Sequence, residues 1–416
     1  MKYDFDKPVN RKGTLSVKWN EQAIQSITGV KDAEPFWVAD MDFTAAPEII
    51  NQVALATQTG TYGYPHFSGI QELFCEWAKK RHHWEVQPQE VVICLGMLNS
   101  IAMLTELLTA PGDGIIVPLP AYQPFLKIVN NQKRTLLRWP LVYDKEAHTF
   151  ALDWEAYETL CKQAKLLLFC SPHNPSGLEF SEEELEKLCR IARDNQVTII
   201  CDEIHGDLSF GAHHPLLPIA LKNGCQAITC MAPSKTFNIA GEHFSVAVIE
   251  NQELRNNFKR RMEQLFLGEP SFFSTTVATN AYRYGYDWLL ELLSYLQENI
   301  EFMDTYCKQH IPQLHVIKPQ ASFIGFIDCN EILPLVELDA QANPDLYQSS
   351  RSPMGGLLSR FFGIRAKIAV NDGTWFGGED YRGFIRFNYG TQRKSIEKAW
   401  KRIEEAVGYL KNTYTI

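Results

Sequence analysis

From about residue 90 to 250, short runs of apolar and β-branched residues alternate with amphipathic segments. Strands buried on both faces read as near-continuous apolar runs, so this alternation predicts βαβ units around a mostly parallel sheet. The expected strands are Val91–Leu95, Gly114–Val117, Leu166–Cys170, Val197–Cys201, Ala227–Met231 and Phe244–Ile249. The best-marked helix follows Ser181, where Ser181-Glu182-Glu183-Glu184 forms a capping box before an amphipathic stretch reaching Asn195. Nearer the start, Pro47 opens a helix that Gly60 stops, the turn Thr61-Tyr62-Gly63-Tyr64-Pro65 follows, and Ser68 starts the next helix.

The pattern changes near residue 287. A long helical stretch from Asp287 to His310 precedes strand-like runs around Val316, at Phe323–Ile327, Ala366–Val370 and Phe384–Phe387, and Ser395–Leu410 reads as a closing helix. Few strands with flanking helices suggest a smaller α+β domain. Ala340 to Gly356 is polar and broken by Gly and Pro, and reads as a loop. The expected organisation is an N-terminal arm with part of the small domain over 1–46, a large domain over 47–286 and a small domain over 287–416.

A chain of 416 residues should hold two or three domains at about 150 residues each, or one large one with appendages. The 45% hydrophobic and 21% charged composition belongs to a globular protein with a large core. Forty Lys and Arg against 49 Asp and Glu leave a net charge of −9, which phosphate backbones repel, so no nucleic-acid partner is expected. The N-terminus MKYDFDKPVNRKG has acidic residues and no apolar run, and nothing later approaches the roughly 20 apolar residues of a membrane span. No membrane association and a cytoplasmic location are the expectation. Most of the ten cysteines sit in apolar runs and read as buried reduced thiols. Cys225 and Cys230 have no second pair nearby, and the eleven histidines show no HExxH spacing, so no metal site is expected.

Four segments follow expected strands, where ligands of open α/β sheets bind. They are Pro120-Ala121-Tyr122, Ser171-Pro172-His173-Asn174-Pro175-Ser176-Gly177, Cys201-Asp202-Glu203-Ile204-His205 and Ala232-Pro233-Ser234-Lys235-Thr236-Phe237-Asn238. Singly each has an ordinary structural reading: a turn, a strand-end cap, a solvated lysine. Together, and in this order, they resemble the fold-type I pyridoxal phosphate enzymes of the aminotransferase class I/II superfamily. The resemblance runs from Trp37-Val38-Ala39-Asp40-Met41-Asp42-Phe43 to Arg386-Phe387-Asn388. Within that superfamily the chain looks most like the cystathionine β-lyase, or carbon–sulfur lyase, branch of MalY/PatB type. Val38–Phe43, Ala232–Asn238 and Asp202-Glu203-Ile204-His205, with His where many aminotransferases have Tyr, carry that closer match.

The resemblance implies a large pyridoxal 5'-phosphate domain with a mostly parallel sheet flanked by helices, plus a smaller α+β domain. It implies that Lys235 anchors the cofactor and acts as general base and acid. Asp202 would pair with the pyridine nitrogen, Asn174 would donate to the phenolate oxygen, Tyr122 would stack on the ring, and His205 would support the ring system. Gly96, Met97 and Leu98, between a strand and a helix N-terminus, would cradle the phosphate, with Ser234 adding a hydroxyl. Arg386 would bind the substrate α-carboxylate, for which a guanidinium fork is suited. A tyrosine at the position of Tyr64 reaches the neighbouring subunit's site in the family, implying a homodimer with shared sites. From the residues alone, Tyr62 and Tyr64 read as aromatic packing at a domain or subunit contact.

The implied activity is β-elimination at a cysteine thioether, giving a thiol, pyruvate and ammonia. An aminotransferase and a regulatory pseudo-enzyme are the alternatives. Two stretches depart from the pattern. Glu242-His243-Phe244-Ser245 stands where the branch has Leu and small or amide residues, with His243 eight positions past the lysine, where many aminotransferases carry a phosphate-binding arginine. The connection from Leu338 to Leu357 is longer than usual.

Overall fold

The computed structural model describes residues 2–66, 69–348 and 352–414. Its central sheet has seven strands: β1 Val91–Cys94, β2 Gly114–Leu119, β3 Thr135–Pro140, β4 Ala164–Cys170, β5 Thr198–Asp202, β6 Ala227–Met231 and β7 Ser245–Val248. Their order is β1-β7-β6-β5-β4-β2-β3. β7 runs antiparallel to both neighbours, and the remaining pairs are parallel. β2, β5, β6 and β7 are buried along their whole length, which is why they read as unbroken apolar runs. β3, Thr-Leu-Leu-Arg-Trp-Pro, is not among the strands expected from the sequence. It lies at the sheet edge with only Trp139 buried, so it carries no such run.

This topology sets up a single functional edge. β4, β5 and β6 point the same way in register, Cys170 beside Asp202 and Asp202 beside Cys230, so their C-terminal loops emerge side by side. β1 runs with them, because β7 is antiparallel to both β1 and β6. For the same reason the residues entering β7, Glu242 to Phe244, lie at that same edge.

The smaller domain has an antiparallel sheet of β8 His315–Ile317, β9 Ile324–Asp328, β10 Asn371–Asp372 and β11 Phe384–Asn388, ordered β8-β9-β11-β10. Helices Tyr286–His310 and Arg393–Tyr414 accompany it. The strand expected over 366–370 is reduced to Ile368–Ala369, which pairs in parallel with Glu34–Pro35 and so ties the N-terminal segment to the C-terminal third. The loop expected from 340 begins later, because helix Leu333–Ala342 takes its first residues. Ser181 and Glu184 form the expected capping box on helix Glu182–Asp194. Ser68 lies outside the described residues, and helix Ile70–His82 follows Gly69. One apolar core spans both domains, with stacked rings at Trp139–Tyr157 and Phe326–Phe384.

Candidate active site

A cavity of about 310 Å³ opens at the C-terminal edge of the large sheet. Wider surface clefts, such as one of about 880 Å³ beside Arg11 and Arg402, gather no comparable set of groups among the described residues. The loop after β6 turns into the short helix Pro233–Thr236, which presents Ser234 and Lys235 to the cavity. Lys235 is surrounded by protein except where it faces the cavity, and its Nζ donates to the Ala39 carbonyl at 2.7 Å. Burial lowers its ammonium to about 8; Arg386 adds to the drop, while Asp40 and Asp202 oppose it.

Asp202 ends β5 at the cavity wall. Burial raises its carboxyl to about 7, although its Oδ1 accepts from the Ile204 amide at 3.0 Å. No cation pairs with it among the described residues. His205 lines the same wall, and its Nδ1 meets Ser322 Oγ at 2.9 Å. Burial pushes the imidazole down to about 3, with Lys235 and Arg386 adding to the drop. His205 is therefore a neutral ring.

Asn174 comes from the turn after β4 and Tyr122 from the residue capping helix Gln123–Asn131 after β2; both line the cavity. The Tyr122 ring lies edge-on to Trp375, with centroids 6.4 Å apart. Gly96, Met97 and Leu98 close the opposite corner. Gly96 caps helix Met97–Leu108 at φ 103°, a conformation that L side chains rarely adopt. The N–H groups of Met97, Leu98 and Asn99, in the helix's first turn, have no intrahelical acceptor.

Arg386 stands just behind this wall on β11, opposite Asn371 on β10. Its Nη1 donates to Asn174 Oδ1 at 3.3 Å, and its Nη2 to the Trp37 carbonyl at 3.0 Å and Asn371 Oδ1 at 2.9 Å. Phe376 and Trp375 rings lie 5.0 and 5.7 Å from the guanidinium carbon. Nε has no partner, and no carboxylate pairs with this buried cation among the described residues. A buried charge without a counter-ion is costly, so the arrangement is set for an anion.

A segment that sequence reading marked only as a motif roofs the site. Trp37 to Phe43 is held by Asn388 Nδ2 donating to the Val38 and Asp40 carbonyls, both at 2.6 Å. Asn238, three residues past Lys235, donates to the Met41 and Phe43 carbonyls and accepts from the Met41 amide. Arg11 grips Asp40 and Asp42, and fully buried Lys18 donates to Asp42 Oδ2 at 2.7 Å. Asn238 was legible only as the last residue of the motif Ala232–Asn238; the left-handed φ of 56° it adopts, which Asn tolerates, is visible only in the structure. Ser322 and the Ala39 carbonyl left no signal, because any residue supplies a carbonyl and serine is common.

Tyr64 is placed differently. It is 98% exposed, outside this cavity, and neither ring contact nor hydrogen bond holds it among the described residues.

Residues 38–403 match the family model described as aminotransferase class I and II. The chain belongs to the aminotransferase class I and II family. The cystathionine β-lyase PatB of Bacillus subtilis is 32% identical over 97% of this chain and all of its own length. Cystalysin from Treponema denticola, whose crystal structure contains pyridoxal 5'-phosphate, superposes with a TM-score of 0.86 at 27% identity, covering 99% of this chain and all of the other. A PLP-bound C–S lyase from Staphylococcus hominis follows at TM-score 0.84 and 25% identity, covering 97% and 98%.

As a member of this family the protein uses pyridoxal 5'-phosphate, and the donor set fits that group. The cavity joins an amine lowered to about 8, a buried carboxyl without a cation, an amide, an aromatic ring and free helix N–H groups. At the Gly96 corner a Cβ would make only an ordinary contact with His243 Nδ1, at 3.4 Å, so it is the φ of 103° and not lack of space that calls for glycine there. Among the described residues no helix is long and apolar enough to cross a membrane, and no group of three or more His, Cys, Asp or Glu could hold a metal ion.

Proposed function

We propose that the protein is a pyridoxal phosphate-dependent carbon–sulfur β-lyase, cleaving the Cβ–S bond of a cysteine thioether such as cystathionine. The products are a thiol, pyruvate and ammonia. One observation carries the reading: Lys235, Asp202, Asn174 and Tyr122 meet in one cavity beside an unpaired buried arginine, in a chain that matches a cystathionine β-lyase end to end.

Bound pyridoxal phosphate supplies the electron sink that lets a substrate Cα lose its proton. On this reading Lys235 would anchor it covalently, Asp202 would pair with its pyridine nitrogen, Asn174 would donate to its ring oxygen and Tyr122 would pack against its ring. His205, neutral and bonded to Ser322, supports that ring without adding charge. Gly96, Met97, Leu98 and Ser234 would hold its phosphate.

Arg386 takes the substrate carboxylate, with Asn371 and the Trp37 carbonyl fixing the plane of its fork. Lys235 Nζ accepts the Cα proton, and a pKa near 8 suits exchange in both directions near neutral pH. The electron pair left at Cα forms the Cα–Cβ double bond as the Cβ–S bond breaks. Sulfur leaves as thiolate; an ordinary thiol pKa of roughly 8.5 makes this leaving group tolerable without a strong acid. Hydrolysis of the remaining three-carbon fragment gives pyruvate and ammonia.

The working unit is a homodimer in which Tyr64 reaches the partner's site. Its near-complete exposure, and that of Phe266 at 94%, support this. The function is tested by supplying cystathionine and, separately, an amino acid with a keto-acid acceptor. Thiol and pyruvate in equal amounts support the lyase; amino transfer without thiol release would make the protein an aminotransferase.

A further inference from the structure

We propose that His243 is a phosphate-binding side chain of the cofactor site, taking in this chain the place of a permanent cation. The inference rests on the pyridoxal phosphate reading and goes beyond it by giving a ligand role to a cavity residue which that reading leaves unused.

The topology places His243 there. It belongs to the last residues before β7, and β7's antiparallel direction starts it at the edge where β1 hands over to helix Met97–Leu108. His243 lines the same cavity corner as Gly96, Met97, Leu98 and Ser234. Its Nδ1 is turned toward Gly96, lying 3.4 Å from where a Cβ on that residue would be. The ring is exposed and no hydrogen bond engages it among the described residues. Among the described residues Lys235 is the only Lys or Arg lining the cavity, and it is committed to the other end of the cofactor.

The neighbouring carboxylate is managed. Glu242 also lines the cavity, and a free carboxylate beside a phosphate would repel it. Its Oε2 instead accepts from Ser274 Oγ at 3.0 Å, on helix Phe272–Tyr284. That bond draws the charge toward the helix. The corner then holds first-turn N–H groups, the Ser234 hydroxyl and one imidazole, a set suited to a phosphate.

The test compares pyridoxal phosphate with pyridoxal, which lacks the phosphate, by titrating apoprotein and following cofactor absorbance. For His243→Ala, affinity for pyridoxal phosphate should fall roughly tenfold, the loss of one hydrogen bond to a charged group, while affinity for pyridoxal stays unchanged. His243→Arg should restore the preference for the phosphorylated form. If His243→Ala does not fold, His243→Leu is read in the same way. Equal losses for both ligands, or no loss for either, would overturn the inference. Wild-type protein that binds neither ligand would overturn the cofactor reading and this inference with it.

Discussion

Lys235 titrates near 8 because burial removes the water that would stabilise its ammonium, and the nearby carboxylates restore only part of that loss. The neutral amine is the nucleophile, and its fraction grows as pH rises through about 8. Apoprotein should therefore take up pyridoxal phosphate faster between pH of about 6.5 and about 8.5 and level off above. Stopped-flow absorbance measures this, and a rate independent of pH would contradict the assignment. Arg386 makes a second case. Arg386→Lys keeps the charge and loses the fork, so kcat/KM for the thioether should drop by roughly two orders of magnitude, mostly through KM. An unchanged KM would remove Arg386 from carboxylate binding. Lys235 was legible because it follows an apolar strand in a fixed order of motifs, and Arg386 because it is a charged residue amid the apolar residues of its own strand. The Ala39 carbonyl and Ser322 were not, since their contribution is set by where the fold brings them and not by their residue type.

Among the elements, the segment Trp37 to Phe43 has no regular structure of its own and is shaped by side chains from both domains. Asn238 alone makes three hydrogen bonds to it at a φ of 56°. Asn238→Ala loses these bonds and places a Cβ-bearing residue without Asn's local hydrogen bonding in the left-handed region. Its expected cost is about 2–3 kcal/mol, visible as a lower Tm and midpoint in denaturant. Asn238→Gly keeps the backbone conformation and should show much of the same loss, because the missing bonds and not φ dominate; full stability in the glycine variant would contradict this. The strands that were legible are those buried on both faces. β3 escaped because its one buried side chain, Trp139, makes no pattern. The pairing of Glu34–Pro35 with Ile368–Ala369 escaped because two-residue strands more than 330 positions apart leave no periodic trace.

For the whole molecule, the presence of a smaller domain beside the large sheet was legible in the change of pattern along the chain. What the pattern could not show was how the two chain ends join, since that depends on contacts between distant segments. The proposed dimer makes a sharp prediction. If Tyr64 serves the neighbouring site, Lys235→Ala and Tyr64→Ala variants, each impaired alone, should regain activity when unfolded together and refolded. Random pairing leaves one intact site in each mixed dimer, roughly a quarter of all sites. No recovery, with mixed dimers demonstrated, would place Tyr64 outside the shared site.

The central claim is that Lys235 carries a proton in breaking a carbon–sulfur bond. Its most direct test is thiol and pyruvate release from cystathionine by wild-type protein and by Lys235→Ala, both loaded with pyridoxal phosphate. Wild-type protein should release thiol and pyruvate one for one, and Lys235→Ala should be slower by at least about a thousandfold while still binding the cofactor non-covalently. A Lys235→Ala protein that keeps a substantial share of the wild-type rate, or a wild-type protein that releases no thiol, would contradict the account.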